Sequence, residues 1–311
     1  KFNYFLRTIP DITSMLQPLE NIIRNRLIPS LLENRTVSDE ERDLISLPTK
    51  LGGLGIPDVT KIANIAYMTS RDLTSNLIRK IVCQHQSNVL QPESCKFQTM
   101  DDFNRSLLSD LRGRMSTMQI KANDIACSVG ASIWFMSLPL KSEGQNLSKR
   151  EFFDAIYLRY GWQPSRILLE CVCSKKFSID HALSCKVGGF IHMRHNDILN
   201  ITSDLLSIVC KDVEKEPTLD SSPAGTEELR ADIVARGFWQ RMQRAFMDVK
   251  VFYPFAPSYR SQSLSATMKS MESRKKRKYL ERILNQENGT FTPLIFSSNG
   301  GMSKETKRFY S

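Results

Sequence analysis

Phe246-Met247-Asp248-Val249-Lys250-Val251-Phe252 is the stretch on which the fold turns. Side chains alternate between the two faces of a β-strand. This segment therefore sets Asp248 and Lys250 on one side and Met247, Val249 and Val251 on the other. One face packs, and the other is open to chemistry. Upstream, Ala231-Asp232-Ile233-Val234 reads as a second strand, close enough in sequence to pair with the first and bring Asp232 beside Asp248. Two carboxylates at one point offer hard oxygen ligands to a divalent cation, with Mg²⁺ expected. Glu216, at the end of a preceding helix, is the candidate third ligand. A lysine at the same point would orient an attacking water or offset charge developing on a phosphate. The same Asp-x-Lys pattern also serves as an ordinary solvated strand face.

Around these strands the pattern is mixed. A helix is expected from Asn196, with Ile198, Ile201, Leu205, Val209 and Val213 on one side, ending before Pro217. Downstream come a basic helix near 268–285, a strand from Phe291 to Phe296 and a last helix capped by Ser303. Between Tyr259 and Arg282 there are eight Lys/Arg against two Glu, which is six of the ten excess positive charges of the chain. Charge so localised favours a polyanionic partner such as nucleic acid. Within it Arg274, Lys275, Lys276, Lys278 and Tyr279 are candidate nucleic-acid contacts, and Lys275 is also within reach of catalytic duty. A nuclear-import signal or a plain exposed helix would read the same way.

Cys171-Val172-Cys173, followed by His181 and Cys185, offers three thiolates and an imidazole on a short segment. That set suits tetrahedral zinc, and a closed four-ligand site is structural. The alternative is two buried small cysteines and a helix histidine. Arg194-His195-Asn196 follows closely, with His195 open to a role as base, cap or packing residue.

The N-terminal half reads as helical. Leu16, Leu19, Ile22, Ile23 and Leu27 recur at helical spacing, Ser38-x-x-Glu41 is a capping box, and Thr60 is the expected cap of a helix carrying Ile62, Ile65, Leu73, Leu77 and Ile81. Glycines and prolines make 47–57 a loop. Residues 86–99 read as a linker, 101–118 as a helix, and Ser148-x-x-Glu151 opens another. Hydrophobic residues at 41% and charged residues at 24% are ordinary for a globular protein, and no apolar run is long enough for a bilayer, so no membrane partner is expected. Seven cysteines, an odd number, argue against a disulfide framework and for a reducing compartment. The chain opens on Lys1 and reads as a piece of a longer protein.

Taken in order, Leu-Pro-x-x-x-Gly-Gly-Leu-Gly-Ile at 47–56, the Cys-Cys-His-Cys knuckle, Arg194-His195-Asn196, Arg230-Ala231-Asp232, Asp248 and Lys-x-x-Lys-Tyr at 275–279 resemble the C-terminal region of site-specific non-LTR retrotransposon proteins. Those carry a restriction-like endonuclease of the PD-(D/E)XK class behind a reverse transcriptase. The resemblance implies an α+β multidomain chain: a thumb-like helical region at 1–85, a helical linker at 86–160, a zinc knuckle at 161–195 and an α/β endonuclease domain at 196–311. It implies structural Zn²⁺, catalytic Mg²⁺ on Asp232 and Asp248, and nicking of target DNA for target-primed reverse transcription in the nucleus. The implied partners are the DNA target, the element RNA and an upstream reverse-transcriptase domain. Arg194 and His195, with the knuckle, are similar to the DNA-handling module of such proteins. Class pattern and strand face favour Lys250 as the working lysine; retrotransposon relatives often place it on the next helix, here Lys275. Ala231 stands where the family usually has proline, and no Tyr-x-Asp-Asp polymerase signature occurs in the 311 residues. The competing expectation is a non-catalytic remnant that only binds nucleic acid.

Overall fold

The structure, a computed structural model, describes residues 2–83, 99–164, 167–188, 190–219 and 229–311. The linker expected at 86–99 lies, but for Thr99, outside them. The fold is α+β, with helix predominating and one small mixed sheet. Among the described residues no helix is long and apolar enough to cross a membrane. The chain divides into two compact units, Lys1–Asn123 with Lys141–Ile156, and Asp124–Leu140 with Tyr157–Ser311. The knuckle segment thus falls in one unit with the sheet.

In the first unit the helices are α1 (Phe2–Thr8), α2 (Gln17–Ile22), α3 (Ile28–Leu31), α4 (Asp39–Ser46), α5 (Val59–Cys83) and α6 (Met100–Arg114). Its core joins Leu6, Ile12 and Leu16 to Val59, Ile62 and Ala63 of α5. Pro18 sits in the first turn of α2, where its missing N–H is not needed. Ser38 and Glu41 form the capping box: the Glu41 N–H donates to Ser38 Oγ at 3.2 Å and the Ser38 N–H to Glu41 Oε2 at 3.1 Å. The 47–57 loop returns tightly against α4. A Cβ on Gly53 would lie 1.8 Å from the Leu47 carbonyl oxygen, so only glycine fits.

Three helical expectations are corrected in this part of the chain. Asp58, not Thr60, caps α5, its Oδ1 accepting from the Thr60 N–H at 3.0 Å and the Lys61 N–H at 3.3 Å. The apolar stripe of α5 is buried only in its first half, leaving Leu73, Leu77 and Ile81 exposed. The helix expected over 101–118 is two: α6 ends at Arg114 and α7 (Thr117–Ala126) follows.

The second unit holds α8 (Ile133–Met136) and the end of α9 (Lys149–Tyr160), whose residues up to Ile156 belong to the first, and continues with α10 (Ile179–Ser184) and α11 (Phe190–Val209). Among the described residues four strands follow: β1 (Lys211–Lys215), β2 (Ile233–Arg236), β3 (Arg244–Phe252) and, after helix α12 (Leu264–Asn285), β4 (Thr290–Ser297). Helix α13 (Lys304–Tyr310) closes the chain, with Ser303 as its N-cap. The sheet order is β1-β2-β3-β4. The first two pairings are antiparallel, and β3 runs parallel to β4 through the α12 crossover. Pro293 is tolerated in β4 because that strand is an edge.

Alternation along the strands sorts the core into two faces. Ile233, Ala235, Ala245, Met247, Val249, Leu294 and Phe296 pack with Leu199 and Leu206 of α11 and Phe309 of α13. On the opposite face Val234, Phe246 and Phe291 meet Tyr279 and Ile283 of α12, while Phe252 and Ile295 meet Met268 and Met271.

Helix α11 departs from expectation at both ends. It begins at Phe190, so Arg194 and His195 lie in its first turns, and it stops at Val209, so Val213 belongs to β1. Its buried line is Leu199, Thr202 and Leu206, one residue around from the expected one, with Ile201, Leu205 and Val209 exposed. Glu216 accordingly follows a strand and not a helix, and its N–H donates to the Asp232 carbonyl at 2.8 Å.

Candidate metal centre and carboxylate pocket

The knuckle begins as a tight turn. Glu170 bridges Lys176, the Ser174 N–H donates to the Cys171 carbonyl at 2.8 Å, and Ser174 takes a left-handed φ of 61°. The turn presents Cys171 and Cys173 on one loop. Ser178 then caps α10 by accepting the His181 N–H at 3.1 Å, which places His181 in the first turn and Cys185 at the end of the helix. The four ligand atoms lie within 4.8 Å of one another. Cys171 Sγ and Cys185 Sγ are 3.8 Å apart, and Cys173 Sγ is 3.1 Å from His181 Nε2. Two thiolates bound to zinc at about 2.3 Å with tetrahedral angles would stand about 3.8 Å apart, so the sulfurs fit. Backbone N–H groups of Gly188 and then Val187 hold the Cys185 thiol below its ordinary range, favouring the thiolate that ligates metal. This Cys171, Cys173, His181 and Cys185 group can hold a metal ion such as zinc.

The second site lies on the α12 face of the sheet. Met271, Lys275, Tyr279 and Ile283 recur every four residues and form one stripe along α12. Three of them are buried apolar or aromatic side chains. Lys275 interrupts the stripe and meets Asp248, which likewise interrupts Phe246 and Phe252 on β3. Asp248 is buried, with 2% of its surface exposed. The Lys275 ammonium pairs closely with Asp248 Oδ2, an oxygen otherwise buried away from solvent. Asp232 stands beside it, just before β2. Its N–H donates to the Met247 carbonyl at 3.0 Å and its Oδ2 accepts the Val249 N–H at 2.6 Å. Burial first, then the Asp232 charge, push the Asp248 carboxyl above the usual carboxylate range, against the pull of Lys275.

His195 Nε2 is 3.5 Å from Asp232 Oδ1. The hydrogen bond with Asp232 raises the imidazole above its ordinary value, opposed by partial burial. Lys250 lies on the Asp248 face of β3, held below its ordinary value by burial first and then by the charges of Lys275 and Arg274. Tyr279 donates its hydroxyl to the Arg230 carbonyl at 3.1 Å and is pushed upward by burial and then by Asp248.

Not every expected residue joins. Glu216 is exposed and, among the described residues, the knuckle is the one group of three or more metal-ligating side chains within mutual reach. Glu216 therefore does not complete a set with Asp232 and Asp248. Lys276 turns away and pairs with Glu305 of α13. Arg194 donates to the Leu183 carbonyl at 2.8 Å and the Phe190 carbonyl at 3.3 Å, tying α11 to the knuckle helix. Lys278 donates to the Tyr279 hydroxyl at 3.1 Å and covers its ring, while Arg274 is exposed. Sequence reasoning passed over Asp180, whose carboxylate accepts from the Tyr253 hydroxyl at 2.7 Å and from Arg260 Nη2 at 2.9 Å. Its partners lie 73 and 80 residues away, beyond any local signal. No protein-family model and no curated protein matches the chain.

Proposed function

We propose that the chain is the C-terminal part of a retrotransposon reverse transcriptase/endonuclease protein, and that its sheet unit nicks target DNA in a metal-dependent reaction. One observation carries this reading: two carboxylates and a lysine displace apolar packing at the seam between β3 and α12. A buried ion pair with a second carboxylate beside it works against stability, and such arrangements concentrate at functional sites. The order of motifs along the sequence and the basic stretch of α12 support the same reading.

Asp248 and Asp232 would hold Mg²⁺, for which carboxylate oxygens are fitting hard ligands once Lys275 yields Asp248 Oδ2; the bound ion would polarise the scissile phosphate and acidify a water. The Val249 N–H fixes one Asp232 oxygen, and His195 steadies the other. Lys275 supplies positive charge at the reacting phosphate. Lys250, further along the same strand face, is the second candidate. Mg²⁺-dependent nicking of duplex DNA should be lost in Asp248→Ala. Nicking that persists at the full rate would remove the assignment. Lys275→Ala against Lys250→Ala then decides which amine works.

A catalytically inactive nucleic-acid-binding remnant is the second reading. It is favoured by Glu216 standing apart and by the Lys275 ammonium resting on the oxygen a metal would use. It expects duplex affinity that falls steeply with added salt while no strand is cut. An affinity insensitive to salt would sink it.

A further inference from the structure

We infer that Asp180 is a positioning residue that docks the zinc knuckle onto the sheet, so that metal occupancy of the knuckle sets the order of the strand end and helix that carry the carboxylate pocket.

Asp180 immediately precedes the ligand His181 in α10. Its two oxygens reach different parts of the polypeptide after β3: Oδ1 takes the Tyr253 hydroxyl at 2.7 Å and Oδ2 takes Arg260 Nη2 at 2.9 Å. Tyr253 is the residue directly after the end of β3 and is buried against Phe255, with ring centroids 5.7 Å apart. It is therefore a rigid extension of the strand on which Asp248 sits. Arg260 also reaches back to the Phe255 carbonyl at 3.4 Å, closing the loop that leads into α12 and Lys275.

A second tie leaves the same knuckle helix from its far end. Arg194 donates to the Leu183 carbonyl, and the next residue, His195, faces Asp232. Both routes from α10 thus end on members of the pocket, one through β3 and one through α11. Helix α10 spans only Ile179–Ser184. Free helices so short are marginal in water, so its geometry must be imposed by the Ser178 cap, by ligation at His181 and Cys185, and by these docking bonds. Without metal the helix loses two of its fixed points, and Asp180 loses the frame that aims it at Tyr253.

The catalytic consequence rests on the nuclease reading; the docking itself does not. The test is hydrogen–deuterium exchange on the full chain, with zinc measured in parallel. In the zinc-loaded protein, Asp180→Asn should keep one equivalent of zinc and normal exchange through 171–187. Exchange through 249–260 should become about tenfold faster, the factor expected for losing a hydrogen bond to a charged acceptor. Stripping zinc from the wild type should produce the same increase, and stripping it from Asp180→Asn should add little there, since coupled contacts are not additive. Unchanged exchange through 249–260 in zinc-loaded Asp180→Asn overturns the proposal. Should Asp180→Asn lose zinc, Tyr253→Phe removes the same bond from outside the knuckle: faster exchange there supports the proposal, and none overturns it. If the wild type nicks DNA, Asp180→Asn should lower kcat with KM for DNA unmoved. A wild type that does not nick removes the nuclease reading and leaves the exchange result standing.

Discussion

Among the described residues, the Arg42–Glu20 pair of the first unit and the Lys275–Asp248 pair of the second are built on opposite plans. In the first unit Arg42 grips Glu20 with both arms, Nε to Oε1 at 2.7 Å and Nη2 to Oε2 at 2.9 Å. Its remaining donors go to the carbonyls of Ile56 at 2.8 Å and Pro57 at 3.1 Å, where the glycine loop leads into α5. Charge, fork geometry and backbone acceptors are all matched. In the second unit Lys275 meets Asp248 as a point charge, and a second carboxylate stands alongside. The first pair holds a loop in place. The second sets two carboxylates against one lysine, an imbalance that a bound cation could complete.

Removing one partner should expose the difference most strongly. Arg42→Ala strands Glu20 in the core and takes the donors from two carbonyls, so a loss of about 3–5 kcal/mol is expected in denaturant unfolding followed by a probe in the first unit. A loss below about 1 kcal/mol, the value of a surface pair, would erase the contrast. Replacing both partners sharpens it. The double change Asp248→Leu with Lys275→Met should leave stability unchanged or raise it by about 1–4 kcal/mol, because apolar packing of α12 on the sheet is then continuous. The equivalent Glu20→Leu with Arg42→Met should still destabilise, since Ile56 and Pro57 lose their donor. If both double variants responded alike, the pocket would be ordinary core.

The two pairs also differ in how far sequence could reveal them. The strand expected over 246–252 was legible because period-2 alternation is local, but the face expected to be open is covered by α12, so β3, which spans 244–252, packs on both sides. So was the knuckle, since four soft ligands on fifteen residues carry their own signal. Glu20–Arg42 was not, because nothing local to α2 or α4 says that a charge will be buried. The choice between Lys250 and Lys275 was similarly out of reach: strand geometry puts Lys250 on the right face, but the rotation of α12 sets Lys275 against Asp248. In α11 the expected face was wrong by one residue because Thr202 and Ser203, polar in sequence, are buried, while Ile201, Leu205 and Val209 are exposed. Glu216 was misplaced for a related reason. Apolar positions through Val213 extended the helix pattern across what is in fact a turn and a strand.

The smallest effect separates the pocket from the rest of its own unit through pH. His195 is raised above its ordinary 6.5, chiefly by its hydrogen bond with Asp232, so its protonated form favours the folded state. That contribution is complete below about pH 6.5 and is lost as pH climbs through the higher folded value. Asp248 is raised above its ordinary 3.8, chiefly by burial, so its ionised form opposes folding. That penalty is absent below 3.8 and complete above the folded value. Thermal unfolding of His195→Gln and Asp248→Asn, in buffer free of Mg²⁺, reads the two separately. The Tm deficit of His195→Gln against wild type should shrink as pH rises from about 6 to about 9. The Tm advantage of Asp248→Asn should shrink in the opposite direction, as pH falls toward its ordinary value. Parallel curves for wild type and both variants would mean that folding displaces neither titration, and the burial of Asp248 and the contact of His195 with Asp232 would then carry no pH-dependent stability.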